Sequence, residues 1–198
     1  FSDRLFANTT LVYNSYNFAS NFTQNNFAIK IASGIRDYNF KTDLDYYSSG
    51  NHHFKGGLAY TYHKFTPNQI SGNIDTIALT PNNAFVKYAH ETGIYVLDDF
   101  EPLKWLKINA GLRYSWFQQV GPYTGYKRTP TGTIIDSTVY GSGKPVSDYG
   151  GWEPRLNMRF QVNDASSIKT SISRTYQYLH LVSNNGTTLP TDVWVPST

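Results

Sequence analysis

The residues most able to do chemistry in this 198-residue chain are five histidines, His52, His53, His63, His90 and His180. A closed metal site gathers four N or S ligands at short paired spacings. None of these histidines has acidic or cysteine partners placed that way, and the chain contains no cysteine at all. Thiolate chemistry and disulfides are thereby excluded, and no metal and no cofactor is expected. The pair His52-His53 stands beside a short turn and reads as solvated. Serine, histidine and aspartate are all present, but no Gly-x-Ser-x-Gly elbow frames a nucleophile, so no catalytic residue is expected. Asp43 and Asp45 flank Leu44 like an acid/base pair, yet Lys41 beside them fits an ordinary charged wall better.

Two further groups are candidates for binding. Arg113, Glu153, Arg155 and Arg159 recur at every second or fourth position in two segments, so each set projects from one side of a strand. Tyr123, Tyr126, Lys127, Arg128 and Tyr140 lie in the longest stretch dense in Gly, Thr, Tyr and Pro. Their rings offer stacking surfaces and their cations positive charge, which makes this stretch the expected place of ligand contact; the plainer reading is a mobile surface loop.

The elements that must carry these residues are strands. From Leu106 to Trp116 the even positions are Leu, Ile, Ala, Leu, Tyr and Trp, while the odd ones are Lys, Asn, Gly, Arg and Ser; only Phe117 breaks the pattern. Trp152, Pro154, Leu156, Met158, Phe160 and Val162 alternate in the same way with Glu153, Arg155, Asn157, Arg159 and Gln161. This period of two is the strand signature. It predicts about seven strands, at residues 4–16, 27–47, 52–66, 84–99, 105–119, 152–163 and 167–182. The last carries Arg174 on its apolar face. The second has Ile29, Ile31 and Ile35 in one phase and Tyr38, Phe40, Leu44 and Tyr46 in the other, so a bulge near residues 35–37, or two separate strands, is expected there.

Faces this polar, opposite faces this apolar, and connections that alternate between short turns and long loops (19–26, 67–83, 120–151 and 183–198) together describe an antiparallel transmembrane β-barrel of a bacterial outer membrane. The longest apolar run is Ile94-Tyr95-Val96-Leu97, far short of the roughly 20 residues of a spanning helix. Aromatic residues gather where strands meet connections (Tyr46, Tyr47, Trp105, Tyr114, Trp116, Trp152, Tyr176 and Tyr178), as in the ring girdles of such barrels. Leu106, Ile108, Leu112, Leu156, Met158 and Phe160 are expected to face lipid. A net charge of +3 without a basic block makes nucleic acid an unexpected partner. A soluble all-β binding or adhesion module is the alternative, and behaviour without detergent separates the two.

Ala110-Gly111-Leu112-Arg113-Tyr114, Glu153-Pro154-Arg155-Leu156, Ser173-Arg174-Thr175-Tyr176-Gln177 and the run Leu189-Pro190-Thr191-Asp192-Val193-Trp194-Val195-Pro196-Ser197 resemble TonB-dependent outer-membrane receptors of the Bacteroidetes type. The resemblance implies nutrient import. It implies a barrel of about 22 strands filled by a plug, the TonB complex acting through that plug, and a small-molecule, glycan or peptide cargo or a metal chelate. No plug segment or targeting signal is recognisable, so residues 1–198 read as one partial barrel domain whose remaining strands lie elsewhere. The resemblance also implies that Arg113, Glu153, Arg155 and Arg159 face the lumen, where they pair with one another, hold the plug or touch cargo.

Overall fold

In the computed structural model, which describes residues 3–48, 50–80, 86–182 and 193–196, the described residues form strands and turns with no helix. Seven strands pair antiparallel in a single sheet: β1 (Leu5–Gln24), β2 (Phe27–Tyr47), β3 (His52–Ile74), β5 (Lys87–Leu103), β6 (Leu106–Val120), β9 (Pro145–Asn163) and β10 (Ser166–Ser173). The short β4 (Ile77–Leu79) adds to β3. A hairpin of β7 (Tyr123–Arg128) and β8 (Ile134–Tyr140) and a second hairpin of β11 (Leu179–Val182) and β12 (Val193–Pro196) complete the order. Each main strand follows its sequence neighbour, so the sheet is a meander that curls as a half-barrel.

Register decides the faces. Leu106, Ile108, Ala110, Leu112 and Tyr114 stand opposite Phe160, Met158, Leu156, Pro154 and Trp152, and paired residues share a face. The same side continues through Ile94 and Val96 on β5, Leu58 on β3, Phe40 and Leu44 on β2, Leu11 on β1, and Ile168 and Ile172 on β10. Ile94, Val96 and Ile172 are exposed by 58, 56 and 71 %, so this apolar side lies open along the width of the sheet. The opposite side is polar, and it is the concave one. Tyr95 on β5 donates its hydroxyl proton to Asp43 on β2, reaching across β3. Residue 57 beneath it is glycine, where a Cβ would come within 2.8 Å of both Tyr95 and Asp43.

Aromatic rings edge the outer face in two ladders. The lower runs Tyr46–Phe54–His52–Phe100, with Trp105 against Phe160 further on. The upper runs Tyr13–Tyr38–Tyr62–Tyr88, with Tyr114 against Trp152. Tyr38 and Tyr46, Phe54 and Tyr62, and Trp152 and Phe160 are each eight residues apart on one strand. At about 3.3 Å per residue and a tilt near 40° the ladders lie roughly 20 Å apart, close to the apolar height of a barrel of this kind.

Several expected boundaries are corrected. Residues 19–24 and 67–74 are strand, because β1, β2 and β3 continue to two-residue turns at Asn25-Asn26 and Asp75-Thr76; Asn25 and Asp75 take φ of 49° and 51°, a conformation Asn and Asp tolerate. Residues 123–128, 134–140 and 145–151 are strand as well. β2 has no bulge at residues 35–37: its pairing with β1 is unbroken. The register shift lies across from it, where Ala32 pairs with Gln69 and Gly34 with Thr66, so the extra residue belongs to β3. The last expected strand ends at Ser173, not Val182. Residues 84 and 85 of the expected fourth strand, and most of 183–198, lie outside the described residues.

Beyond the upper ladder the polarity of the faces inverts. Ile35, Phe65, Ala89 and Phe117 are on the inner face and pack together, with Phe65, Ala89 and Phe117 at most 1 % exposed, while Arg36 and Lys64 are on the outer face. A strand that has left the membrane meets water outside, so its apolar side is free to serve a core within.

Candidate functional site

What covers that inner core is the chain after β10. At Arg174 the backbone amide still donates to Pro154 carbonyl oxygen, 3.0 Å away, and then the chain leaves the sheet and turns inward. The Tyr176 amide donates to Glu153 Oε1 at 3.0 Å. The Tyr178 ring stacks on Phe117 with centroids 5.4 Å apart and 11° between planes, and its hydroxyl lies 2.8 Å from Ser115 Oγ. Ser115 in turn donates to Glu153 Oε1 at 2.9 Å. Residue 151 is glycine because the Tyr176 ring lies where a Cβ would be. Arg174, out of place on an apolar strand face, is on no strand; its guanidinium stands 4.8 Å from the Tyr176 ring centroid. Beyond it, β11 and β12 pair with each other, and β12 lies against β3 and β2.

Below this strap the inner wall is charged. Asp45 bonds His53 Nε2 at 2.9 Å, and His53 Nδ1 lies 3.9 Å from Asp99. Asn109 donates to Asp99 at 2.6 Å, Asn157 to Asn109 at 2.9 Å, and Ser171 to Asn157 at 2.7 Å. One chain of polar contacts thus crosses six strands, from β2 to β10. Above it Lys41 pairs with Asp43 at 2.8 Å, and His63 sits between Asp37 at 2.8 Å and Glu91 at 3.5 Å. His52 belongs to the other side: its Nδ1 meets Asp98 at 2.7 Å on the outer face, between the rings of Phe54 and Phe100. The two adjacent histidines therefore serve opposite faces, and among the described residues no cluster of His, Asp or Glu is arranged to hold a metal ion.

Arg113, Glu153, Arg155 and Arg159 all lie on the polar face by register. Arg113 Nε is 3.6 Å from Glu153 Oε2, while Arg159 donates to Gln161 at 2.7 Å. The five residues of the long stretch do not form a single patch. They stand on the β7–β8 hairpin, where Tyr123 opposes Tyr140 and Lys127 opposes Asp136, and Tyr126 points to the other side opposite Ser137. Tyr123 and Tyr140 face each other at 6.3 Å. Lys87, an inner-face residue of β5, holds Nζ 5.9 Å from the Tyr123 ring, which identifies the Tyr123, Tyr140 and Lys127 side as the inward one. Tyr126, 55 % exposed, pairs instead with Arg128. Sequence reasoning missed Lys87 and Ser115 and placed Tyr176 and Tyr178 with the girdle rings, whereas both fold inward against Glu153, Ser115 and Phe117; Phe117 and Arg174, the two residues that broke the alternation, were the available signal.

An antiparallel meander with one lipid-like face, two ring ladders and a charged concave wall defines part of an outer-membrane β-barrel. Residues 1–192 match the family model described as TonB dependent receptor-like, beta-barrel, and the chain belongs to that family. No curated protein and no solved structure matches it significantly. The family is one of outer-membrane receptors and transporters, not of enzymes.

Proposed function

We propose that the chain forms wall and vestibule of an outer-membrane receptor that imports a nutrient when the TonB complex acts on a plug within the barrel. The observation that supports it is the division of the sheet: an open apolar band between two aromatic ladders outside, and a hydrogen-bonded polar wall inside. Such a sheet is at home only with lipid on one side and water or protein on the other. The remaining strands of the barrel pair with β1 and β10. Arg113, Glu153, Arg155 and Arg159 line the lumen, and Tyr123, Tyr140 and Lys127 contact a glycan, peptide or chelate at the entrance. Tyr126 and Arg128 face away.

The test compares cells carrying the full-length receptor, cells lacking it, and cells with inactive TonB. Each is given a defined mixture of glycans, peptides and ferric chelates, and depletion of the medium is followed by mass spectrometry. One class is expected to disappear only where receptor and active TonB are both present. Depletion that ignores either would refute the reading. Tyr123→Ala with Tyr140→Ala is expected to slow that uptake about tenfold at unchanged surface abundance, the scale of losing roughly 1.4 kcal/mol of binding, while Tyr126→Ala leaves it unaltered.

A further inference from the structure

From the lower ring ladder to the upper one, the outer face carries a single carboxylate among the described residues, that of Asp98 on β5. By register it stands between Phe54 on β3 and Ala110 on β6, in the row of the lower ladder. Its ion pair is with His52, whose Nδ1 lies 2.7 Å from Asp98 Oδ2. A carboxylate only accepts, so Nδ1 carries the proton of this bond and Nε2 is left at the far edge of the ring. The Phe100 and Phe54 rings lie parallel to the imidazole with centroids 4.1 and 5.5 Å away. Two bonding positions stay open: among the described residues neither His52 Nε2 nor Asp98 Oδ1 has a hydrogen-bond partner. Both side chains reach the surface, His52 by 37 % and Asp98 by 26 %.

A pair that served only to tie β3 to β5 would be at home on the wet inner wall, where the neighbouring His53 and Asp99 already stand. This one is on the lipid side, at the height where hydrocarbon gives way to headgroups. The turns beside it, joining β2 to β3 and β5 to β6, are short, which marks the periplasmic end of a barrel of this kind. Its place in the fold therefore fixes what it meets, the headgroups of the adjoining leaflet. A carboxylate among ring faces attracts an ammonium, and a protonated imidazole offers Nε2–H to a phosphate. Ala110, with only a methyl group, is the low point of the row beside Asp98.

We infer that His52 and Asp98, with the rings of Phe54 and Phe100, form a binding site for the phosphoethanolamine headgroup of a bilayer phospholipid. Asp98 takes the ammonium and His52 the phosphate of one molecule. The site depends on the outer face meeting lipid and is independent of what the receptor imports.

The test offers the full-length receptor, purified in detergent, an equimolar mixture of phosphatidylethanolamine, phosphatidylcholine and phosphatidylglycerol with identical acyl chains. Native mass spectrometry then counts the lipids retained. The choline lipid has the phosphate and a positive charge but no N–H, and the glycerol lipid has the phosphate but no cation. The ethanolamine lipid is expected to be retained about fivefold over each of the others, the scale of one ion pair at a wet interface. Asp98→Asn is expected to abolish the preference. Ala110→Phe keeps both charges, adds a lipid-facing ring at the low point and is expected to reduce it. Asp99→Asn neutralises the next carboxylate, on the inner face, and is expected to leave it unchanged. Compact migration on an unheated gel shows that each variant is folded. A parent protein without the preference overturns the site whether or not any variant folds. So does a preference that survives Asp98→Asn or Ala110→Phe, which would seat the lipid elsewhere, or one lost equally in Asp99→Asn, which would make it an effect of net charge.

Discussion

Leu156→Arg places a charge on the outer face of β9, four residues from Trp152 in one ladder and four from Phe160 in the other. At about 3.3 Å per residue and a tilt near 40°, each ladder is roughly 10 Å away along the membrane normal, so the site is at mid-height. An arginine at the midplane of such a barrel costs about 2–4 kcal/mol, and near the interface about 0–1. With tenfold for each 1.4 kcal/mol, Leu156→Arg is expected to lower the folding equilibrium about 30- to 700-fold. Val162→Arg, two residues beyond Phe160 on the same face, is expected to lower it by about fivefold or less. The full-length receptor folded into phospholipid vesicles and titrated with urea gives both values, since folded barrels keep their compact migration on an unheated gel. Asn157→Arg is the control, because residue 157 is on the inner face. Equal costs at 156 and 157, or a larger cost at 162 than at 156, would refute the assignment of faces.

Two further outcomes concern the strap. Gly151→Val displaces the Tyr176 ring and is expected to expose Tyr178, now 6 % accessible, to limited chymotrypsin digestion that leaves the parent protein uncut there. Tyr178→Phe keeps the stacking on Phe117 but removes the hydroxyl beside Ser115; urea titration is expected to show a loss of about 1 kcal/mol or somewhat more, the usual scale for a buried hydrogen bond whose partner is stranded.

The membrane-spanning half was legible because lipid is a uniform solvent. Leu106 to Trp116 and Trp152 to Phe160 alternate strictly, since one side has no polar alternative and the other no apolar need. Arg113, Glu153, Arg155 and Arg159 could be placed on one face for the same reason. The part above the membrane was not legible, because there both sides meet water or protein and the rule linking apolar to outward no longer holds. Ile29, Ile31 and Ile35 looked like a change of phase, Phe117 like an error, and Arg174 like a flaw in a strand. All three mark one event: the strands cross the surface and turn their apolar side toward the chain that folds in over Phe117. The β7–β8 hairpin was hidden for a simpler reason. Its Gly, Thr and Pro content is that of a loop, and short strands of such composition are held mainly by their pairing.

The length of β3 has a consequence of its own. From Tyr62 in the upper ladder it continues to Ile74, a rise of about 30 Å at roughly 3.3 Å per residue and a tilt near 40°. In the receptor proposed above, the entrance is thus a collar standing clear of the lipid headgroups, and a molecule drifting toward the cell meets protein well before it meets membrane. On the collar's outside, Lys30 and Arg36 answer neither to lipid nor to the core within. By the burial argument alone, such positions are the ones where a change of residue disturbs neither the outer apolar band nor the inner core.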